Sequence, residues 1–182
     1  VFVEEEVVVG EAPWALPGTL TLPAGEGPFP AVVLVHGSGP SDRDETAYAV
    51  KPFRDLAQGL AARGIATLRF DKRTFVHSQK FGANPQYTIQ QESVEDALAA
   101  VRLLAADDRI AAGQIYVLGH SLGGLALPRI LAQDEDGLIR GGIAMAAPNS
   151  MLDTLWAQNQ IMVETGQLPP AQLEFIKPQL DM

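Results

Sequence analysis

Four short apolar runs, residues 31–35, 65–70, 115–118 and 142–146, constrain this chain more than any other feature. They are continuous rather than alternating. A strand with one wet face alternates polar and apolar residues, whereas a strand buried on both faces has no polar face to keep. The intervals between the runs carry a different period. Over residues 52–63, Phe53, Leu56, Ala57, Leu60 and Ala61 fall on one helical face, with Pro52 suited to a first helical position and Gly64 to the cap. Ser93 with Asp96 reads as a capping box, ahead of a stripe of Val94, Ala97, Leu98, Val101 and Ala105. Residues 125–133 supply a third helix. Strands alternating with helices imply βαβ crossovers, and hence an α/β fold with a mostly parallel, doubly wound sheet. Residues 2–9 and 18–22 read as extended segments before it, and residues 151–165 and 171–180 as helices after it, parted by Pro169-Pro170.

Composition narrows the function classes. A chain of 182 residues suggests one domain and allows a sizeable core. No run is long and apolar enough to span a bilayer, so no transmembrane segment is expected. A net charge of −9 argues against nucleic acid as a partner, because phosphates call for a basic patch. The acidic clusters Glu4-Glu5-Glu6 and Asp134-Glu135-Asp136 read as solvated surface. The absence of cysteine removes disulfides and thiolate chemistry, and three scattered histidines show no metal-ligand spacing. No cofactor or metal is expected. Neither the lack of cysteine nor the first residue, Val1, fixes a compartment.

The chemistry sits in Gly119-His120-Ser121-Leu122-Gly123, a G-x-S-x-G pattern between an apolar strand and a helical stretch. A serine hydroxyl is a poor nucleophile until a sharp turn lifts it out of the sheet towards a base and two N–H donors. Glycines at 119 and 123 suit the turn, which leaves no room for side chains where strand and helix press together. An earlier strand is followed by His36-Gly37-Ser38-Gly39-Pro40 and then by the run Asp42-Arg43-Asp44.

With these two motifs in this order, the chain resembles the α/β-hydrolase family, and within it bacterial serine esterases and dienelactone-hydrolase-like proteins. The resemblance implies that Ser121 is the nucleophile, and that an oxyanion hole is built from the backbone N–H groups of Leu122 and Ser38. Gly37 or Gly39 could stand in for Ser38. It also implies structural roles for His36 in the loop and for Asp71 in a turn after the fourth strand. His77 reads as surface, and His120, next to Ser121, is not expected to serve as its base.

The family's order is nucleophile, acid, histidine. All three histidines of this chain, His36, His77 and His120, precede Ser121. Asp153 is the candidate acid within the chain; the family more often places its acid after a seventh strand, for which no segment is seen. Glu164, Glu174 and Asp181 read as solvated helix faces. The expectation is therefore that residues 1–150 form the N-terminal part of a hydrolase core, incomplete at its C-terminal end, and residues 151–182 a helical lid. A C-terminal chain or fragment would carry the triad acid and histidine, whether the chain is truncated, nicked or one of two. Leu155, Trp156, Ile161, Met162 and Phe175 would face an apolar acyl group or the remainder of the fold. The function implied is a serine ester hydrolase acting on a small acyl ester. Acyltransferase, thioesterase or peptidase chemistry on the same machinery stays open, as does a non-catalytic binding scaffold.

Overall fold

The computed structural model describes residues 2–82, 86–171 and 173–174. The expected helix over 171–180 lies largely outside the described residues, as do Phe175 and Asp181. The chain divides into two compact units, Val1–Ala147 and Pro148–Met182.

The first unit is built on a six-stranded sheet of order β1-β2-β4-β3-β5-β6. Its strands are β1 (Phe2–Val9), β2 (Leu16–Pro23), β3 (Phe29–Val35), β4 (Ala66–Phe70), β5 (Ile110–His120) and β6 (Ile139–Met145). β1 and β2 form an antiparallel hairpin, and β2 runs antiparallel to β4. The four strands predicted from the apolar runs are mutually parallel, with Val33 beside Leu68 on one side and Val117 on the other.

The reason those runs are continuous is visible on β3. Val32 and Leu34 join Phe53 and Ala57 of helix α1 (Pro52–Ala61) in one apolar cluster. Ala31, Val33 and Val35 join Ala97 and Val101 of α4 and Ala126 and Ile130 of α5 in the other. Each of Val32, Val33, Leu34 and Val35 contributes about 1.5–3 kcal/mol by leaving water, so none of these four positions tolerates a polar residue cheaply. Two short helices, α2 (Arg73–Val76) and α3 (Ser78–Gly82), follow β4. Helices α4 (Glu95–Ala105) and α5 (Leu122–Ala132) flank β5.

Two expectations require correction. The helix over α4 does not start at a Ser93–Asp96 capping box. A π-helical turn, Gln90–Val94, runs straight into it. The reciprocal box lies upstream, where Thr88 Oγ1 accepts from the Gln90 amide and Gln91 Oε1 accepts from the Thr88 amide at 3.0 Å. Ser93 Oγ is buried without a partner, and Asp96 is paired instead with Arg73.

The acidic hairpin residues, likewise, are not merely solvated. Glu4 accepts from Arg69 Nη2 at 3.0 Å, Glu5 from Arg109 and Glu6 from Arg43 Nη1 at 2.6 Å. Asp134 accepts from the amides of Leu138 and Ile139 and so shapes the entry to β6.

The second unit contains α6 (Met151–Glu164), started by Ser150, whose hydroxyl accepts from the Asp153 amide at 3.3 Å. Leu152, Leu155, Ile161 and Met162 of this helix are exposed.

The displaced cap is testable by urea denaturation. Thr88→Ala should cost about 1 kcal/mol, whereas Ser93→Ala, which deletes an orphaned buried hydroxyl, should be neutral or stabilising. Equal losses in the two variants would restore Ser93 as the cap.

Candidate active site

Three glycines make the turn around Ser121 possible, and each meets backbone. A Cβ on Gly119 would lie 2.3 Å from Gly123 C and O, and one on Gly123 2.4 Å from Val35 O. On Gly124 it would lie 2.5 Å from Ala147 Cβ. Strand β5, helix α5 and the end of β3 thus approach closer than any side chain permits. Ser121 absorbs the turn, with φ of 49° and ψ of −111°, a conformation that costs a non-glycine residue strain. Its amide donates to Met145 O at 2.9 Å, so the end of β6 holds the turn as well. Leu122 opens α5, where the first N–H groups have no helical acceptor.

The loop after β3 lies against this turn. A Cβ on Gly37 would sit 3.3 Å from Ser121 Cβ and 3.4 Å from His120 Nδ1. The structure therefore brings Gly37 beside Ser121 and His120. Asp153 belongs to the other unit, exposed in the first turn of α6, where a carboxylate complements the helix dipole.

Each of the three histidines is held by a fixed partner. His36 is 1% exposed, packs against Phe53 and Phe70, and donates from Nε2 to Asp42 O at 3.0 Å. Its burial, with the nearby Lys72 ammonium, lowers its pKa to about 4. His77 donates from Nε2 to Ala15 O at 3.0 Å and meets Trp14 edge-on. His120 donates from Nδ1 to Glu45 Oε1 at 2.9 Å. Carbonyl and carboxylate oxygens only accept, so each contact assigns the ring proton to that nitrogen.

The charged runs singled out in the sequence turn out to face one another. Arg43 forks onto Asp71 through Nε and Nη2, both at 3.1 Å, and its own amide donates to Asp71 Oδ1 at 2.8 Å. Asp44 accepts from Arg69 Nε at 3.0 Å and Lys51 Nζ at 2.9 Å. Asp42 caps Thr46 through its amide and hydroxyl. The loop between β3 and α1 is thereby tied to the strand β4 end and, through Glu4 and Glu6, to the hairpin.

Two residues that the sequence reading passed over hold the Gly37–Gly39 loop directly. Glu45, itself at a φ of 52°, accepts from the Gly37 amide at 2.7 Å through the same oxygen that holds His120. Lys72, buried at 2% exposure, donates to Gly37 O at 2.7 Å and Gly39 O at 3.0 Å and pairs with Glu92. The signal available for Lys72 was its position immediately after a buried strand, inside Arg69-Phe70-Asp71-Lys72-Arg73, where a solvated lysine has no reason to be.

Comparisons with known proteins agree with this geometry. A family described as the alpha/beta hydrolase family matches residues 32–181. Esterase EstD of Thermotoga maritima is 45% identical over 148 residues, which is 81% of this chain and 32% of that protein. The chain thus spans about a third of the length of that curated relative. Among solved structures, Est1E from Butyrivibrio proteoclasticus superposes with a TM-score of 0.60 at 21% identity, over 82% of this chain and 54% of that one. A Pyrococcus horikoshii acylaminoacyl peptidase superposes at 0.61 and 20% identity, over 86% of this chain and 24% of that one. At such identities the superpositions speak for the fold alone.

The buried His36 makes a pH prediction. Its folded pKa of about 4 lies below the ordinary 6.5, so between these values the unfolded chain binds more protons. The stability associated with a neutral His36 is complete above pH 6.5 and is lost as pH falls towards 4. The loss amounts to about 3 kcal/mol. Urea titrations across this window should show that loss in the parent chain and a correspondingly flatter curve in His36→Gln. Parallel curves would mean that His36 is solvated.

Proposed function

The chain belongs to the alpha/beta hydrolase family, and from that premise we propose that it carries the nucleophile and oxyanion hole of a serine ester hydrolase. Ser121 attacks the acyl carbonyl, and its strained turn supports the role by presenting the residue at the junction of β5 and α5. The N–H groups of Leu122 and Ser38 receive the oxyanion. Such donors act on charge that develops only in the tetrahedral state, each lowering the barrier by about 3 kcal/mol. The alcohol leaves, and water releases the acyl-enzyme on Ser121.

The observation that carries this reading is the apposition of Gly37 and Ser121, which supports an oxyanion hole drawn from the loop after β3 and the start of α5. The 45% identity to a protein named as an esterase favours ester cleavage over the other acyl transfers. We place the triad histidine outside this chain, because His36, His77 and His120 all precede Ser121, against the family's order. The acid is Asp153 or lies with that histidine. Residues 151–182, in which Leu155 and Ile161 are exposed, are proposed as a lid segment.

The lack of a histidine after Ser121 in this sequence also favours a second reading, a hydrolase-like scaffold that binds without catalysis. A fluorophosphonate probe separates the two. The complete protein should be labelled at Ser121 and lose the label in Ser121→Ala, with ester turnover falling by several orders of magnitude. Labelling no faster than in Ser121→Ala would establish the scaffold. The isolated 182-residue chain should be nearly inactive on p-nitrophenyl esters; turnover abolished by Ser121→Ala would place a working base within it.

A further inference from the structure

Lys72 is a buried cation that the chemistry above does not use. An ammonium at 2% exposure is costly unless every proton finds an acceptor. Lys72 has three protons and three acceptors: Gly37 O, Gly39 O and the Glu92 carboxylate. Two of the three are carbonyls of one loop, two residues apart, and that loop lies against Ser121.

The orientation of the loop peptides follows. The only cis peptides among the described residues precede Pro13 and Pro28, so the Gly37–Ser38 peptide is trans and its C=O and N–H point in opposite directions. Lys72 holds the C=O, which aims the Ser38 N–H away from Lys72. Of the three neighbouring positions, all but Gly39 are accounted for. The Gly37 amide is taken by Glu45 at 2.7 Å, and Pro40, which follows the second carbonyl held by Lys72, has no N–H. The Ser38 side of the loop is exposed, whereas Gly37 is buried. Coordination of a carbonyl by a cation also draws electrons from the peptide nitrogen, which makes the opposite N–H a stronger donor.

We propose that Lys72 is a positioning residue for the oxyanion hole, its ammonium fixing the Gly37–Ser38 peptide from behind so that the Ser38 N–H meets the developing oxyanion. This rests on the reading of Ser121 as nucleophile. Glu92 supplies the counter-charge, and Glu45 closes off Gly37 as the alternative donor.

The test is made on the complete protein with a soluble p-nitrophenyl ester and an aryl trifluoromethyl ketone, which forms a tetrahedral adduct on a nucleophilic serine. Lys72→Met should lower kcat about 100-fold, the range seen when one oxyanion donor is lost, with KM changed less than threefold. Inhibition by the ketone should weaken by the same factor as kcat. An unchanged kcat, or a fall matched by a rise in KM alone, would overturn the proposal. Where Lys72→Met does not fold, Lys72→Met with Glu92→Gln removes the carboxylate left alone, and the same outcomes apply. On the unaltered protein, the amide proton of Ser38 should move downfield in the NMR spectrum when the ketone adduct forms. Movement of Gly39 or Gly37 in its place would also overturn it. If Ser121→Ala retains activity or the ketone forms no adduct, the nucleophile assignment has failed, an outcome distinct from failure of Lys72.

Discussion

The contact on which this structure turns is a repulsive one. Where β5 ends and α5 begins, Gly123 packs against the carbonyls of Val35 and His36, and Gly119 against Gly123 itself, at distances that exclude a single methyl group. Dispersion attraction fades within an ångström of optimal contact, so closeness of this kind is not obtained by adding apolar bulk. It is obtained by having none. The helix start is thereby pressed onto the edge formed by β3 and β5, and its unpaired N–H groups come within reach of the loop that leaves β3.

On the hairpin side of the sheet lies a polar lattice that crosses three strands. Glu4, Thr21 and Arg69 form one rung and Glu6, Thr19 and Arg43 another, each linking β1, β2 and either β4 or the loop after β3. Exposed ion pairs are individually weak. Here the guanidinium of Arg69 is nearly buried and held by Thr21, Glu4 and Asp44 together, and a charge so placed penalises any arrangement that leaves it unmatched. The lattice acts on position: it ties the hairpin to the loop that faces Ser121.

What could be read from sequence follows from the range of the forces involved. Burial of both strand faces is written in consecutive residues, so β3 and β4 could be found from their apolar runs. Strand β6, found by the same rule, is corrected to a strand with no buried residue, and G-x-S-x-G marks a steric demand local to five positions. β5 was recognised only over its second half, because residues 111–114 include Gly113 at a φ of 70° and break the regular register against β3. The capping box went to the wrong pair because Thr88–Gln91 and Ser93–Asp96 have the same spacing, and only the neighbouring Arg73 decides that Asp96 is engaged elsewhere. The roles of Arg43, Glu45, Lys72 and Glu92 depend on partners distant in sequence. No periodicity announces a lysine whose acceptors lie 33 and 35 residues away.

The contacts that orient the loop beside Ser121 come from a single uninterrupted stretch: Lys72 and Glu92 behind it, Glu45 and Asp42 within it, and Arg43 reaching back to Asp71 and Glu6. None reaches past the strand that follows α5, whose last residue holds the Ser121 amide. During synthesis from the N-terminus, this stretch leaves the ribosome before anything that follows α6, and segments generally fold in the order in which they emerge. The loop beside Ser121 can therefore take its final shape before the residues that follow α6 have been made.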